Sequence, residues 1–331
     1  MKKFLVIQTA FIGDVILATA VTEQLHKHFP DAQISMLVRA GNETLFQGHP
    51  FIHRVHVWNK KSAKYQNLFK LTRTIRAQHF DGVINLQRHT ASALITLLSG
   101  ARKTVGFDTS VLSVFFNHRV KHQLGKKNDV AYAHEVDRCL QLTTPWLKLE
   151  KAKPVLYPTT NDFSVVTPYT SKPYITISPS SVWFTKQAPV EVWRELIAAR
   201  TDVQIYLLGG PGDSSLCDSL ASNNAHVSVL AGKLSLLQSA ALMKQAEMNY
   251  TNDSAPLHLC SAVNAPVRAV FCSTIPEFGF GPLSNNSGIV QSRLELPCKP
   301  CGNHGKSACP KGHFDCGKIS LPDLLRTEMV A

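Results

Sequence analysis

The stretch Asn252-Asp253-Ser254-Ala255-Pro256-Leu257-His258 lies between two apolar runs and decides the fold class. Residues 248–251 are predicted to end a strand, residues 256–263 to form a short helix, and residues 267–271 to form the next strand. Polar groups therefore gather where a strand gives way to a helix, which is where open α/β sheets bind ligands. The pattern predicts a parallel α/β fold with a ligand site at this turn.

This turn suits an anion. Asp253 or Ser254 can cap the helix, and Pro256 fits its first turn because a missing N–H costs nothing there. Free backbone N–H groups and the helix dipole favour a phosphate, while Asp253 can accept hydrogen bonds from sugar hydroxyls. A capped helix with no ligand is the alternative interpretation.

Strand and helix patterns alternate along the whole chain, which predicts βαβ units and parallel sheets. A Pro-rich stretch at residues 144–172 is predicted to connect two Rossmann-like domains that face each other across a cleft, the expected active site. The predicted domains are residues 1–160 and 161–320, followed by a terminal helix at 321–331. In the first half, strands are predicted at 4–7, 34–38, 55–58, 83–86 and 104–106, and helices at 15–29, 65–78, 90–99 and 129–142. In the second half, strands are predicted at 174–178, 203–208, 227–230, 248–251 and 267–271, and helices at 190–200, 214–221, 236–244 and 256–263.

The charge balance is basic. The 331 residues include 35 Lys and Arg against 23 acidic residues, a formal charge of +12. This excess favours an anionic partner, which can be nucleic acid, a phosphorylated substrate or an acidic membrane surface, although a solvated basic surface is the alternative. No window reaches the roughly 18 apolar residues of a membrane span. The N-terminus is predicted to be a first strand rather than a signal peptide, so a cytoplasmic protein is expected.

The first predicted strand ends in a turn with one glycine and one acid. Gly13-Asp14 lacks the G-x-G-x-x-G spacing of a dinucleotide site. Gly13 lets another molecule approach the backbone, and Asp14 at a helix N-terminus can act as a general base. An Asp that only stabilises the helix dipole is the alternative.

Two junctions of the second half carry similar chemistry. Ser180, Ser181 and Lys186 lie between a strand and a helix, where hydroxyls and one lysine suit a diphosphate. Asp213 follows the turn Gly209-Gly210, where an acid can accept hydrogen bonds from ribose hydroxyls. Ordinary Ser/Thr and glycine turns are the alternatives at both places.

Four cysteines share one loop, with the spacing Cys298-x2-Cys301-x7-Cys309-x6-Cys316, near two histidines. One C-x-x-C pair and two further thiols are enough for a tetrahedral zinc site. The second pair departs from C-x-x-C, so reduced cysteines in an irregular loop, or a disulfide formed on purification, are alternatives to structural zinc or iron.

Taken together, these motifs resemble glycosyltransferase family 9, the ADP-heptose:lipopolysaccharide heptosyltransferases with the GT-B fold. The similarity runs nearly end to end, and the joint order of the motifs is more specific than any one of them. In chain order they are Gly13-Asp14-Val15, Ser180-Ser181, Lys186-x-x-Pro189, Gly209-Gly210 with Asp213, and Asn252-Asp253-Ser254-Ala255-x-x-His258.

The resemblance implies an inverting transfer of heptose from ADP-heptose, with Asp14 as the general base. The implied donor contacts are Ser180, Ser181 and Lys186 to the diphosphate and Asp213 to the ribose. Asp253 is implied to contact the sugar. Ser254 and Ala255 offer backbone N–H groups, and His258 either orients the loop or packs as a structural histidine. The family often has Gly where Ala255 stands, which bears on donor preference rather than on reaction type.

The resemblance also implies a Kdo–lipid A type acceptor at the anionic inner face of the inner membrane, with no required cofactor and no nucleic acid. Cationic side chains are interpreted as acceptor contacts, with solvent-exposed charges as the alternative. A GT-B enzyme using another nucleotide sugar and a non-catalytic nucleotide- or polyanion-binding protein are the competing functions. The acceptor candidates, beside Gly13, are Arg88 with its neighbour His89, Arg119, Lys121, His134 and Arg138.

Overall fold

The computed structural model describes residues 1–60 and 64–325, with the side chains of Lys64 and Tyr65 left aside. The chain divides into two compact units. Unit 1 comprises residues 1–124 and 135–157, and unit 2 comprises residues 125–134 and the chain from Pro158 onward.

Unit 1 is built on six parallel strands: β1 (Lys3–Ile7), β2 (Gln33–Arg39), β3 (Ile52–Trp58), β4 (Gly82–Asn85), β5 (Lys103–Phe107) and β6 (His118–Val120). Their order in the sheet is β3-β2-β1-β4-β5-β6. The order reverses between β1 and β4, so the carboxyl ends of these two strands form the crevice where such sheets bind ligands. The helices of this unit are α1 (Ile12–His28), α2 (Lys64–Arg76), α3 (Thr90–Leu98) and α4 (Glu135–Gln141).

Unit 2 repeats the design with β7 (Tyr174–Ser178), β8 (Gln204–Leu207), β9 (Val227–Val229), β10 (Met248–Asn252), β11 (Val267–Val270) and β12 (Ser287–Val290). The sheet order is β12-β11-β10-β7-β8-β9, so the reversal lies between β10 and β7. The helices are α5 (Thr160–Val166), α6 (Val190–Ala199), α7 (Ser214–Ala221), α8 (Leu236–Gln245), α9 (Ala255–Val263) and α10 (Leu321–Leu325).

The central strands are buried along nearly their whole length, as expected for parallel sheets covered on both faces. In β1, Phe4, Leu5, Val6 and Ile7 are fully buried. Ile175 and Ile177 of β7 belong to the core of unit 2, together with Trp193 of α6. The predicted α/β class with two parallel sheets is confirmed.

Several predicted boundaries differ from the structure. Helix α5 lies inside the stretch predicted as a connection, and it begins with a capping box in which Thr159 and Asp162 bond each other's backbone N–H. Strands β6 and β12 were not predicted. The terminal helix is described only as α10, and its predicted remainder lies outside the described residues.

The helix predicted over 129–142 begins only at Glu135, because residues 125–134 pack within unit 2. The Asn128 N–H donates to Glu277 Oε1 at 3.3 Å, and the Lys127 ammonium donates to the Leu296 carbonyl at 3.3 Å. Any side chain at Gly125 would collide with the Glu277 carbonyl. Among the helices of residues 1–60 and 64–325, none is long and apolar enough to cross a bilayer.

A half-buried acid in unit 1, Glu23, makes stability depend on pH. The Tyr157 hydroxyl lies 3.0 and 3.1 Å from the two carboxylate oxygens of Glu23 on α1. Burial raises the pKa of Glu23 from 4.5 to about 7, so the folded chain holds this proton to higher pH than the unfolded chain. The resulting stabilisation is fully present below the unfolded pKa and is lost as the pH rises through the folded pKa.

We therefore expect Glu23→Gln to raise the free energy of unfolding by roughly 1–2 kcal/mol near pH 8, after allowance for partial exposure. Near pH 5 we expect almost no change, because the wild-type carboxyl is already protonated in the fold. Urea unfolding at the two pH values tests this, with Glu191→Gln at an exposed position as the matched control. An equal effect at both pH values would contradict the assignment.

Candidate active site

The first site element is the turn between β1 and α1. Helix α1 begins at Ile12, which places Gly13 and Asp14 in its first turn, directly after the carboxyl end of β1. Gly13 is buried and Asp14 is half-buried. The turn therefore brings a carboxylate to the N-terminal end of α1, at the switch point of the unit 1 sheet.

Three side-chain amides lie at the same edge, and sequence reasoning missed them. The Ala10 N–H donates to Gln8 Oε1 at 3.2 Å, and the Gln87 amide nitrogen donates to the same oxygen. The Gln87 N–H donates to Asn85 Oδ1 at 2.9 Å. Asn85 Nδ2 and Gln87 Oε1 are buried with no hydrogen-bond partner within the described residues. Such orphaned groups are what a water or a sugar hydroxyl would satisfy.

Lys60 also lies near this turn, although the sequence motifs did not predict it. Its ammonium donates to the Thr9 carbonyl at 2.9 Å and lies 3.1 Å from the Thr9 hydroxyl. It also lies 4.6 Å from the centre of the Trp58 ring. A cation is thereby fixed against the segment that leads from β1 to Asp14.

The predicted acceptor residues have different environments. Arg88, Arg119 and Lys121 are exposed on unit 1, as is His89. His134 belongs to unit 2, where its Nε2 lies 3.1 Å from the Gly281 carbonyl. Arg88, Arg119 and Lys121 therefore belong to unit 1 and His134 to unit 2.

Arg138 is buried in unit 1 and its charge is already paired. Its Nε donates to Glu135 Oε2 at 2.7 Å, and His122 Nε2 lies 3.1 Å from the same oxygen. Burial opposes ionisation of Glu135, but the hydrogen bond from His122 and the charge of Arg138 hold its pKa below the usual value. This arrangement favours a structural ion pair over a contact with an anionic sugar.

In unit 2, three side chains meet at the carboxyl end of β10. Lys186, at the end of the 3₁₀ turn Phe184–Lys186, places its ammonium 2.7 Å from Asp253 Oδ2. The Thr274 hydroxyl donates to the same oxygen at 2.6 Å. Asp253 is buried and Lys186 largely so, and the ion pair places one cation beside one carboxylate at the switch point.

The expected helix cap is not formed by either candidate. Asp253 turns toward Lys186 and Thr274 instead of the helix, and the Ser254 hydroxyl lies 3.4 Å from the Asn252 carbonyl. Ser254 occupies the cap position of α9 without a side-chain cap bond. Within the described part of the chain, the N–H groups of Ser254 and Ala255 have no acceptor. The turn therefore keeps donors for a ligand, which a capped helix would not.

Asn252 explains why these segments converge. This fully buried residue accepts the Ala188 N–H at 2.8 Å and donates to the Pro179 carbonyl at 2.8 Å. One amide thus ties the Ser180 loop and the segment after Lys186 to the end of β10. The nearby hydroxyls of Ser180 and Ser181 are half-buried and form no hydrogen bond to any described residue.

His258 lies one turn into α9 and is buried. Burial lowers its pKa to about 3, so the imidazole is neutral at physiological pH. Its Nδ1 is buried and lacks a partner in the described residues. The buried ring leaves this one polar atom for a water or ligand, and whether His258 orients the loop or only packs stays a prediction.

Asp213 closes its own turn. Its Oδ2 accepts the Gly210 N–H at 2.7 Å. Gly209 needs to lack a side chain, because a Cβ there would lie 2.7 Å from the Asp213 Cβ. The carboxylate is thereby held at the carboxyl edge of β8, next to β7 in the same sheet.

The four cysteines of the irregular loop form no disulfide within the described residues. Cys298 Sγ lies 3.8 Å from His313 Nε2, and burial raises the pKa of Cys316 to about 11. No three His, Cys, Asp or Glu side chains form a metal-binding group in residues 1–60 and 64–325. A zinc site at Cys298, Cys301, Cys309 and Cys316 stays a prediction, which elemental analysis of the protein purified under reducing conditions would test.

Solved structures with a similar fold identify the architecture of this chain. Escherichia coli ADP-heptose lps heptosyltransferase II has a TM-score of 0.76 to this chain at 22% identity, with 91% of this chain and 96% of that chain covered. The E. coli heptosyltransferase WaaC with ADP has a TM-score of 0.72 at 23% identity, covering 87% and 92%. The architecture is therefore of the GT-B type.

The sequence model of Glycosyltransferase family 9 (heptosyltransferase) matches residues 68–311, about three quarters of the chain. A lipopolysaccharide heptosyltransferase 3 of E. coli is 28% identical over 302 residues, which cover 83% of this chain and 85% of that protein. The chain belongs to glycosyltransferase family 9, and the predicted family and enzyme class are confirmed.

Proposed function

We propose that this enzyme transfers a heptose from ADP-heptose to the inner core of a lipopolysaccharide precursor, with inversion at the anomeric carbon. The observation that carries the proposal is the end of β10, where Lys186 and two unpaired backbone N–H groups surround Asp253. A cation and free N–H groups suit a diphosphate, and a carboxylate suits sugar hydroxyls. The similar E. coli proteins named above act as heptosyltransferases, which supports the choice of sugar.

In the proposed reaction, Asp14 removes the proton of the acceptor hydroxyl as its oxygen attacks the anomeric carbon. The bond from that carbon to the diphosphate breaks, and ADP leaves with the electron pair. Lys186, the Ser180 and Ser181 hydroxyls and the N–H groups of Ser254 and Ala255 stabilise the charge that develops on the diphosphate. Asp213 binds the ribose, and Asp253 binds the sugar once ligand is present. No step requires a metal.

The proposed acceptor is of the Kdo–lipid A type, and the enzyme is proposed to work as a cytoplasmic protein peripheral to the inner face of the inner membrane. A formal charge of +12 supports both the acceptor and the membrane location, since the acceptor and that membrane surface are anionic. The exposed Arg88, Arg119 and Lys121 are the cations available for these contacts.

Incubating the purified enzyme with ADP-heptose and a Kdo–lipid A acceptor, in the presence of EDTA, tests the proposal. We expect stoichiometric release of ADP and a product heavier by one heptose. Transfer from a UDP- or GDP-sugar with none from ADP-heptose would overturn the donor assignment. ADP binding without any turnover would favour a non-catalytic nucleotide-binding protein, and loss of turnover in EDTA would contradict the metal-free mechanism.

A further inference from the structure

An exposed apolar turn lies between β5 and β6 of unit 1. Residues Val111–Phe115 form a 3₁₀ helix, in which Val111 is 82% exposed and Phe115 is 69% exposed. Buried Ser113 stabilises the turn through two hydrogen bonds. Its N–H donates to the Ser110 carbonyl at 2.9 Å, and its hydroxyl donates to the Asp108 carbonyl at 3.1 Å. The turn is therefore rigidly held with Val111, Val114 and Phe115 toward solvent.

Helix α3 extends this apolar surface. The turn packs against α3, whose Leu94 and Leu98 lie one helical turn apart and are both exposed. Single exposed apolar residues are ordinary, but a group of large ones on two contacting elements marks an interaction surface. We call this group the apolar patch: Leu94, Leu98, Val111, Val114 and Phe115.

Basic side chains border the patch on one side. Val114 helps to line a surface depression of about 610 Å³ together with His118, Arg119 and Lys121. The acid in this lining, Asp108, accepts the His122 N–H at 3.2 Å. Exposed apolar side chains next to an excess of cations are the composition of a surface that binds anionic lipid.

We propose that the apolar patch and the adjoining Arg119 and Lys121 dock unit 1 on an anionic lipid bilayer. The apolar side chains enter the boundary between headgroups and acyl chains, while the two cations meet lipid phosphates. A second copy of the chain is the less favoured occupant. An interface formed by two such patches would carry Arg119 and Lys121 from both copies, and this excess of like charge opposes association. The inference rests on the proposed function only in that a lipid-anchored acceptor gives the docking a purpose.

Co-sedimentation of the full chain with vesicles tests the surface. We expect binding to vesicles with about a third anionic phosphatidylglycerol, and much weaker binding to pure phosphatidylcholine or at high salt. The double variant Val114→Ser/Phe115→Ser is expected to weaken vesicle binding about tenfold, because it replaces two of the five apolar side chains of the patch, including its aromatic ring, by polar ones. The variants Arg119→Gln and Lys121→Gln are each expected to weaken it about fivefold.

Matched controls come from the same unit. Phe69→Ser removes an aromatic side chain that is 74% exposed on α2, and Arg102→Gln removes an exposed cation. Both are expected to bind vesicles like wild type. Equal losses in the controls, or unchanged binding in the apolar double variant, would overturn the proposal. A change in sedimentation velocity without a change in vesicle binding would identify the patch as a subunit interface instead.

Turnover separates this proposal from the assigned reaction. With a short acceptor that carries no lipid, Val114→Ser/Phe115→Ser is expected to keep the wild-type rate, because the patch has no part in the chemistry. Vesicle binding by a protein with no heptosyl transfer would leave docking intact and remove the proposed function. Normal heptosyl transfer by a protein that does not bind anionic vesicles would support the proposed function and overturn the docking proposal.

Discussion

Replacing Asp14 by Asn is expected to lower kcat by about 10²–10⁴-fold, because the amide cannot take the proton of the acceptor hydroxyl. The residue lies in the first turn of α1 at the switch point of the unit 1 sheet. Since the proposed diphosphate contacts all lie in unit 2, ADP binding is expected to stay close to that of wild type. Product formation measured by mass spectrometry and ADP titration by calorimetry together test this.

The alternative interpretation, an acid that only stabilises a helix dipole, predicts a different pattern. A dipole contribution is about 0.3–1 kcal/mol of stability and leaves the reaction rate alone. Asp162 provides the matched control, because it occupies the first turn of α5 and serves only its capping box. We expect Asp162→Asn to lower stability with normal turnover. If Asp14→Asn behaves like Asp162→Asn, Asp14 is not the base.

Replacing Lys186 by Met is expected to lower kcat/KM for ADP-heptose by about 10²–10³-fold, as is usual when one group that stabilises transition-state charge is removed. The same change leaves the buried carboxylate of Asp253 without its cation, which lies 2.7 Å away in the wild type. Thr274 alone then holds that carboxylate, so the variant is also expected to unfold more easily.

The double variant Lys186→Met/Asp253→Asn separates these two effects. Removing the carboxylate takes away the uncompensated charge, so we expect stability to recover toward wild type while turnover stays low. Steady-state kinetics and urea unfolding on the four proteins of the cycle measure the coupling. Lys172→Met, at an exposed position of unit 2, is the control. Full recovery of turnover in the double variant would mean that Lys186 acts only as the partner of Asp253.

The fold could be predicted because buried parallel strands leave a strong local pattern. Strands such as β1 and β7 are buried, largely apolar segments followed by polar turns, and the turns identify the edge of the sheet that binds ligands. Strand β6 was not predicted because it is polar and largely exposed at the edge of its sheet, and β12 because the alternation of strands and helices fades in the last fifty residues. The capping box of α5 was a readable signal, hidden within a Pro-rich stretch.

The site could be predicted only at the level of residue types and their order. Asp253 could be read as a helix cap because that interaction is local. Its actual partners, Lys186 and Thr274, lie far along the chain and meet it only because their strands are neighbours in the sheet. The contact between the amides of Gln8 and Gln87, which lie 79 residues apart, could not be predicted for the same reason. Contacts across strands require a topology that no short window of sequence contains.

The path of the chain has a practical consequence for dissecting the enzyme. Residues 125–134 belong to unit 2, although the residues on either side of them belong to unit 1. A fragment that starts at Pro158 would therefore lack the segment that packs on Glu277, and it would expose that surface to solvent. A unit 2 fragment produced by cutting the gene once is expected to be poorly soluble. Grafting residues 125–134 to its start through a flexible linker should restore it.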